Sequence, residues 1–334
     1  MELASELKPS ELALITEISK STLSRTLAKV PGEITTKNNR VIGIAPELAE
    51  QLISEKLPNI KKSSIMVLAN CCGGVSKTSA TIALALASRR LTSRKKALYL
   101  LDSDPQGSMS IQLTSSISNN LTLVDYIEGK CKLEEIIEPL STEDNVFIIK
   151  SNLNNIFLDK SFNVQKIKSG MLGLFREIEA KNPNGFRLFM DTSPQLSALL
   201  SSTVIALAET NSENIIAKLM IPLRSDPVAL NGGRLIINES HSILNAFNIP
   251  TEKLKTIFFF SALDNRIKKT TSEIYKTAIT TPEIANHLSP VAIKYSTELI
   301  KSSMNQTTIY HPSAQSKNVQ NDYTELFLEA ISKE

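Results

Sequence analysis

Two groups of residues in this 334-residue chain are spaced for chemistry. The first is the run Cys72-Gly73-Gly74-Val75-Ser76-Lys77-Thr78-Ser79. It follows an apolar stretch at 65–69 and precedes a helical pattern carrying Ala80, Ile82, Ala83, Leu84, Leu86 and Ala87. Glycines in such a turn let backbone N–H groups converge on phosphate oxygens, and the start of the helix adds its dipole. Lys77 would neutralise phosphate charge, and the Thr78 hydroxyl would ligate Mg²⁺. The run departs from the general phosphate loop at two places. Ser76 stands where Gly usually precedes the Lys, and Cys71 stands where Gly lies six residues before it.

The second group consists of carboxylates at the ends of apolar runs. One run closes as Leu101-Asp102-Ser103-Asp104-Pro105-Gln106-Gly107, and another as Met190-Asp191-Thr192-Ser193-Pro194. Carboxylates just past the carboxyl ends of parallel strands point into the crevice where ligands bind. One can hold Mg²⁺ through water while another orients an attacking water. A lone Asp at a strand end more often caps a turn. Three of them behind a phosphate loop point to nucleotide chemistry.

These residues need a scaffold that brings several strand ends together. Apolar, β-rich runs at 65–69, 97–101, 146–150, 187–190, 215–221, 255–260 and 290–295 alternate with helical patterns. Near-continuous apolar strands separated by helices predict an α/β, P-loop NTPase fold: a mostly parallel sheet covered by helices on both faces. Residues 1–60 read as a separate module. Helical patterns at 11–19 and 21–30 are followed by two β-rich runs, 33–36 and 41–44, with Asn38-Asn39 between them as a hairpin signal, and by a helix at 46–56. Pro58 and the run 61–64 mark a linker, which divides the chain into 1–60 and 64–334.

Lys20, Thr22, Ser24 and Arg25 fall on the second helix of this module. Hydroxyls near its start and a basic side suit contact with phosphates and base edges, and Lys37 and Arg40 would extend the contact onto the hairpin. The pattern resembles small winged helix-turn-helix modules that bind DNA.

Bulk composition agrees with this division. Apolar residues make up 42% of the chain, enough for a packed core. The net charge of +3 is too mild to demand nucleic acid, so a DNA role rests on local patches. Cys71, Cys72 and Cys131 are odd in number and two are adjacent, which does not read as a disulfide framework. The polar start of the chain carries no signal-peptide pattern, and no apolar run has membrane-spanning length. A cytoplasmic protein is expected. The absence of Trp weighs against a stacking platform for single-stranded nucleic acid.

Taken together, the segments resemble the deviant Walker-A ATPases of the ParA/MinD group over roughly residues 64–334. The group's loop, Lys-Gly-Gly-x-Gly-Lys-Thr/Ser, is matched by Cys72 to Thr78. Its Asp-x-Asp-Pro-Gln-Gly segment, characteristic of ParA, is matched by Asp102 to Gly107. Its Asp-Thr-x-Pro segment is matched by Asp191 to Pro194. Ile221-Pro222 with Asp226, Asp264-Asn265-Arg266 and the stretch 290–296 align in the same order.

The resemblance implies that Gly73 to Ser79 bind ATP or ADP, and that Thr78, Asp104 and Asp191 serve Mg²⁺. It implies catalytic roles for Lys77 and Asp104, with Asp102 beside it. It also implies an ATP-dependent homodimer, a ParB-type centromere-binding partner, no membrane partner, location on nucleoid DNA, and non-specific DNA contact through Arg266 and Lys294. The departure is Cys72, which stands at the group's signature lysine. Either hydrolysis is slow, or another cation substitutes; Lys160, Lys166 and Lys168 are candidates. Two other functions remain open: an autorepressor whose ATPase domain is degenerate, and a positioner of a protein cargo.

Overall fold

The central strands are buried along their length because both faces of the sheet are covered. A computed structural model describes residues 6–30, 33–37, 40–118, 121–142, 144–263, 268–312, 314 and 316–332. The N-terminal segment contains α1 (Pro9–Thr16), α2 (Lys20–Leu27), β1 (Ile34–Lys37), β2 (Arg40–Ile44) and α3 (Pro46–Ser54). The sheet region opens with β3 (Ser63–Leu68), α4 (Lys77–Leu91), β4 (Ala97–Asp102), α5 (Ser108–Thr114), α6 (Leu123–Glu128), α7 (Leu133–Ile136), β5 (Ile137–Ser141) and β6 (Val146–Ile149). It continues through α8 (Ile156–Ser161), α9 (Val164–Lys181), β7 (Phe186–Asp191), α10 (Ala198–Thr210), β8 (Ile215–Leu223) and α11 (Pro227–Ala246). It closes with β9 (Lys255–Phe260), α12 (Lys268–Thr280), α13 (Pro282–Ala285), α14 (Thr297–Met304) and α15 (Lys317–Ser332).

Among the described residues, seven strands form one sheet in the order β5-β6-β4-β7-β3-β8-β9. Every neighbouring pair from β6 to β9 is parallel, and β5 is antiparallel at the edge. The expected α/β fold is thus what the chain adopts. The chain leaves β3 toward β4 on one side and leaves β7 toward β8 on the other. That reversal opens a crevice at the carboxyl ends of β3 and β7, the usual place for a ligand in such sheets.

Alternation along each strand sorts the core into two layers. Ile65, Val67, Leu101, Leu188 and Met190 face the layer that holds Ile167, Met171, Leu174 and Phe175 of α9 and Val204 of α10. Met66, Leu68, Leu98, Leu100 and Phe189 face the layer that holds Ile82 and Leu86 of α4 and Tyr323 and Phe327 of α15. Leu7, Leu12, Leu23, Leu27, Leu48 and Leu52 of the N-terminal segment belong to this second layer. α4 therefore packs between the sheet and α3. The link between the two regions is a single 3₁₀ turn, Pro58–Lys61, that runs straight into β3.

β1 and β2 pair antiparallel as the hairpin signal predicts, with Lys37 opposite Arg40. Asn38 and Asn39 themselves lie outside the described residues. Two expectations are corrected. The stretch 290–295 is not a strand of the sheet. It makes an isolated bridge from Lys294 to Leu263 and three flanking backbone bonds, Ile293 N to Phe260 O, Leu263 N to Ile293 O and Tyr295 N to Leu263 O. Its first residue, Pro290, has no N–H to add to a ladder. Conversely, β5 was not expected, because Pro139 interrupts its pattern; as an edge strand it tolerates that proline.

Candidate functional site

The loop after β3 runs over residues 69–76 and delivers the chain into α4 at Lys77. Its shape depends on two residues with left-handed backbone, Gly74 (φ 71°) and Ser76 (φ 64°). Gly74 adopts this at no steric cost. Ser76 pays about 1–2 kcal/mol for it, the penalty of a Cβ in that region. The chain thus keeps the turn that a glycine before the lysine would give, under strain. No side chain caps the α4 N-terminus, so its first-turn N–H groups, which lack intrahelical acceptors, face the loop's concavity.

Neighbouring elements hold the loop in place. Asn70 donates through Nδ2 to the Pro222 carbonyl at 2.8 Å and the Ala229 carbonyl at 3.3 Å, and its Oδ1 accepts from the Cys72 N–H at 2.8 Å. Gly232 on α11 permits this contact; a Cβ there would sit 2.5 Å from Asn70 Oδ1. Ser261, after β9, donates to the Val75 carbonyl at 2.9 Å. Arg224 Nη1 donates to the Gly74 carbonyl at 3.3 Å, and its Nε pairs with Asp226, the residue that caps α11. Sequence reasoning missed Asn70, Arg224, Gly232 and Ser261 as parts of the site. The faint signal was that Asn70 and Arg224 are polar residues directly after apolar strands.

Lys77 is buried, and its Nζ donates to the carbonyls of Asn70 (3.1 Å) and Cys72 (3.2 Å). Burial lowers its pKa, with Asp191 and Asp104 opposing that shift. Register places Leu68, Asp102 and Asp191 side by side on β3, β4 and β7. The Thr78 hydroxyl donates to Asp191 Oδ2 at 2.6 Å. Asp191 Oδ1 is buried and has no hydrogen-bond partner among the described residues. Burial first, and then the Asp102 carboxylate, push the Asp191 carboxyl well above the usual carboxylate range. An orphaned carboxylate oxygen beside a hydroxyl is a donor set for a hard cation, so these residues fit Mg²⁺.

The two carboxylates of the 102–104 segment part company. Asp102 is fully buried and accepts from the Ser110 N–H (2.8 Å), the Ser110 hydroxyl (2.7 Å) and the Asp104 N–H (3.2 Å). Asp102 thus braces the turn into α5. Asp104 is half-buried, its Oδ1 accepting from the Gln106 N–H at 2.9 Å. Gly73 meets nothing within 4 Å of a notional Cβ, Val75 lies on the loop, and Ser79 lies on the first turn of α4. Cys72 is half-buried, its thiol turned to the Gly73 carbonyl. A cavity of about 920 Å³ opens beside the loop, lined by Gly74, Ser76, Ser79, Arg224, Tyr295 and Met304.

Of the candidate DNA contacts, Thr22, Ser24 and Arg25 are exposed on α2, while Leu23 and Leu27 turn inward. Ser19 caps α2 by accepting from the Thr22 N–H. The Lys20 side chain and all of Arg266 lie outside the described residues. Lys294 is exposed and pairs with Asp322 at 3.2 Å. Among the possible substitute cations, Lys168 pairs with Glu209 and Lys166 lies over the Phe162 ring.

Comparison with known proteins places this geometry. Apo McdA from Cyanothece superposes with a TM-score of 0.62 at 13% identity, covering 80% of this chain and 99% of that one. A candidate plasmid partition protein from Borrelia burgdorferi B31, bound to AMPPNP, gives 0.58 at 16% identity, covering 80% and 99%. A structure described as a partition protein gives 0.58 at 14% identity and covers 98% of this chain and 93% of that one, so the likeness of fold extends into the N-terminal segment. No curated protein sequence matches the chain. The family model for the AAA domain matches residues 63–253, more than half of the chain, with the phosphate loop, Asp104 and Asp191 inside it. The chain belongs to the AAA domain family.

Proposed function

We propose that this chain is an ATPase of the ParA partition type, whose ATP-bound homodimer holds DNA non-specifically and hydrolyses ATP when a ParB-type partner stimulates it. The observation that carries the reading is the Thr78–Asp191 pair with its orphaned carboxylate oxygen, set at the mouth of a phosphate loop. The relative that binds AMPPNP shares the fold and supports adenine nucleotide as ligand. Lys77 would exchange its loop carbonyls for phosphate oxygens, and the open α4 N-terminus would accept the remaining charge. Thr78 and Asp191 would hold Mg²⁺, which supplies further neutralisation of phosphate charge when bound. Asp104, half-buried and close enough to Lys77 to act on its charge, would hold the attacking water. Exposed Thr22, Ser24 and Arg25 of α2, with Lys20, would read the partition operator. Arg266 and Lys294 would touch non-specific DNA. The chain would act in the cytoplasm on nucleoid DNA; no described helix is long and apolar enough to cross a membrane.

ATP hydrolysis measured with and without DNA and partner tests this reading. Mg²⁺-dependent turnover that DNA and partner raise supports it; no nucleotide binding at all defeats it. A second reading, an autorepressor with a degenerate ATPase domain, is favoured by Cys72 and by the strained Ser76. It expects operator binding that is indifferent to ATP. A positioner of protein cargo shares every feature of the crevice and differs in the partner that stimulates it.

A further inference from the structure

Lys77 is the only cation that residues 69–79 bring to the phosphate loop. One ammonium leaves much of the charge of a triphosphate unmatched. The chain sets a second cation at the rim of the loop. Leu68 of β3 pairs in parallel with Met220 of β8, so the two strands end on the same side of the sheet. The loop leaves the first strand, and Arg224 directly follows the second, which ends at Leu223.

Arg224 is anchored along one edge of its guanidinium and open along the other. Its Nε pairs with Asp226, and its Nη1 makes a long contact, 3.3 Å, with the Gly74 carbonyl. Asp226 is itself fixed, because its other oxygen, Oδ1, accepts from the Ala229 N–H at 2.9 Å at the start of α11. The pairing therefore orients the guanidinium without using it up. Nη2 has no hydrogen-bond acceptor among the described residues. The side chain is 45% exposed, so its donors are within reach of a ligand. It lines the cavity of about 920 Å³ together with Gly74, Ser76 and Ser79 of the loop and the first turn of α4. The approach to the loop is close: a Cβ on Gly74 would lie 3.1 Å from Nη1. The planar fork of an arginine matches phosphate oxygens, and a side chain already held in place loses less freedom on binding.

We propose that Arg224 is a second phosphate-binding residue of this site, its Nη edge contacting the triphosphate of the ATP held by the same subunit's loop. The inference rests on the ATPase reading and adds a residue to it. On binding, Nη1 exchanges the Gly74 carbonyl for a phosphate oxygen and Nη2 takes another, while Nε stays with Asp226. The triphosphate then meets cations from two sides, Lys77 from within the loop and Arg224 from the end of β8.

Calorimetry of ATP and ADP binding to the full chain in Mg²⁺ tests this, with Arg224→Gln and Arg224→Lys beside the parent. Both changes fall on an exposed side chain and leave Asp226 on its α11 cap. Arg224→Gln is expected to weaken ATP binding about tenfold or more, the scale of a charge-assisted contact. Arg224→Lys keeps the charge and is expected to lose clearly less. A loss for ATP alone supports a contact with the γ-phosphate, and an equal loss for ADP supports one with the inner phosphates. The parent's ATP affinity should also fall more steeply with added salt than that of Arg224→Gln, because a charge has been removed; a residue that merely braced Gly74 would leave the slope unchanged. The inference is overturned if Arg224→Gln binds ATP as the parent does, if Arg224→Lys is as weak as Arg224→Gln, or if the salt slopes coincide. A parent chain that binds no ATP defeats the ATPase reading and this inference together, which tells that failure apart from the others.

Discussion

The crevice and the N-terminal segment carry their candidate residues in opposite ways. In the crevice, Lys77, Asp102 and Asp191 are buried, and strand register fixes Asp102 and Asp191 on neighbouring strands beside Leu68. On α2, Thr22, Ser24 and Arg25 are exposed, and Leu23 and Leu27 alone are tied to the core. A buried polar group must be matched by its surroundings, so its partners reveal what it awaits. An exposed one is free of that demand, and its chemistry is decided by whatever binds it. Geometry accordingly defines the crevice, and residue type defines the α2 face.

Substitutions in the two regions test this contrast. The largest effect is expected from Asp104→Ala, which should lower ATP turnover by about 10²-fold or more, as loss of a water-positioning base does. Light scattering should then detect a persistent ATP-bound dimer; parental turnover would remove Asp104 from catalysis. Next, Lys77→Ala should weaken ATP binding about tenfold or more by calorimetry, the scale of a charge-assisted contact. Unchanged affinity would sink the phosphate-loop assignment. Arg25→Ala should cost operator binding about 1–3 kcal/mol while leaving ATP affinity unaltered. A loss of ATP affinity in that variant would mean that the α2 face and the crevice are not independent. Cys72→Lys should raise turnover severalfold if a cation is what the loop lacks; no gain would show that another group already serves. The smallest effect belongs to Ser76→Gly. Relief of the left-handed serine should stabilise the chain by about 1 kcal/mol in denaturant unfolding, and a loss of stability would contradict the strain.

The sequence exposes the sheet well because parallel strands covered on both faces are apolar throughout, and their Asp residues mark where they stop. What it hides is the bracing. Nothing in the residue pattern says that Asn70 spans from the loop to Pro222 and Ala229, or that Gly232 on α11 clears a path for it, since both depend on a helix far along the chain. Arg224 is hidden for the same reason: its contact with the Gly74 carbonyl joins residues 150 apart. The two carboxylates of the 102–104 segment look alike in sequence, and Ser110 sets them apart by donating to Asp102 alone. The stretch 290–295 reads as a strand by composition, yet a proline and a short run of backbone bonds leave it at the margin of the sheet.

The layer shared by α4, α15 and the N-terminal helices bears on the order in which the chain can fold. Residues 6–54 leave the ribosome long before α15, which completes the same apolar layer. Asn59 Nδ2 donates to the Ile331 carbonyl, 272 positions away. Closure over such a separation is slow, and apolar surface stays open while it is pending. During synthesis the face of α4 that α15 covers, and the Pro58–Lys61 turn beside it, therefore wait uncovered until α15 has emerged. That interval is when the nascent chain is most open to chaperones and to self-association.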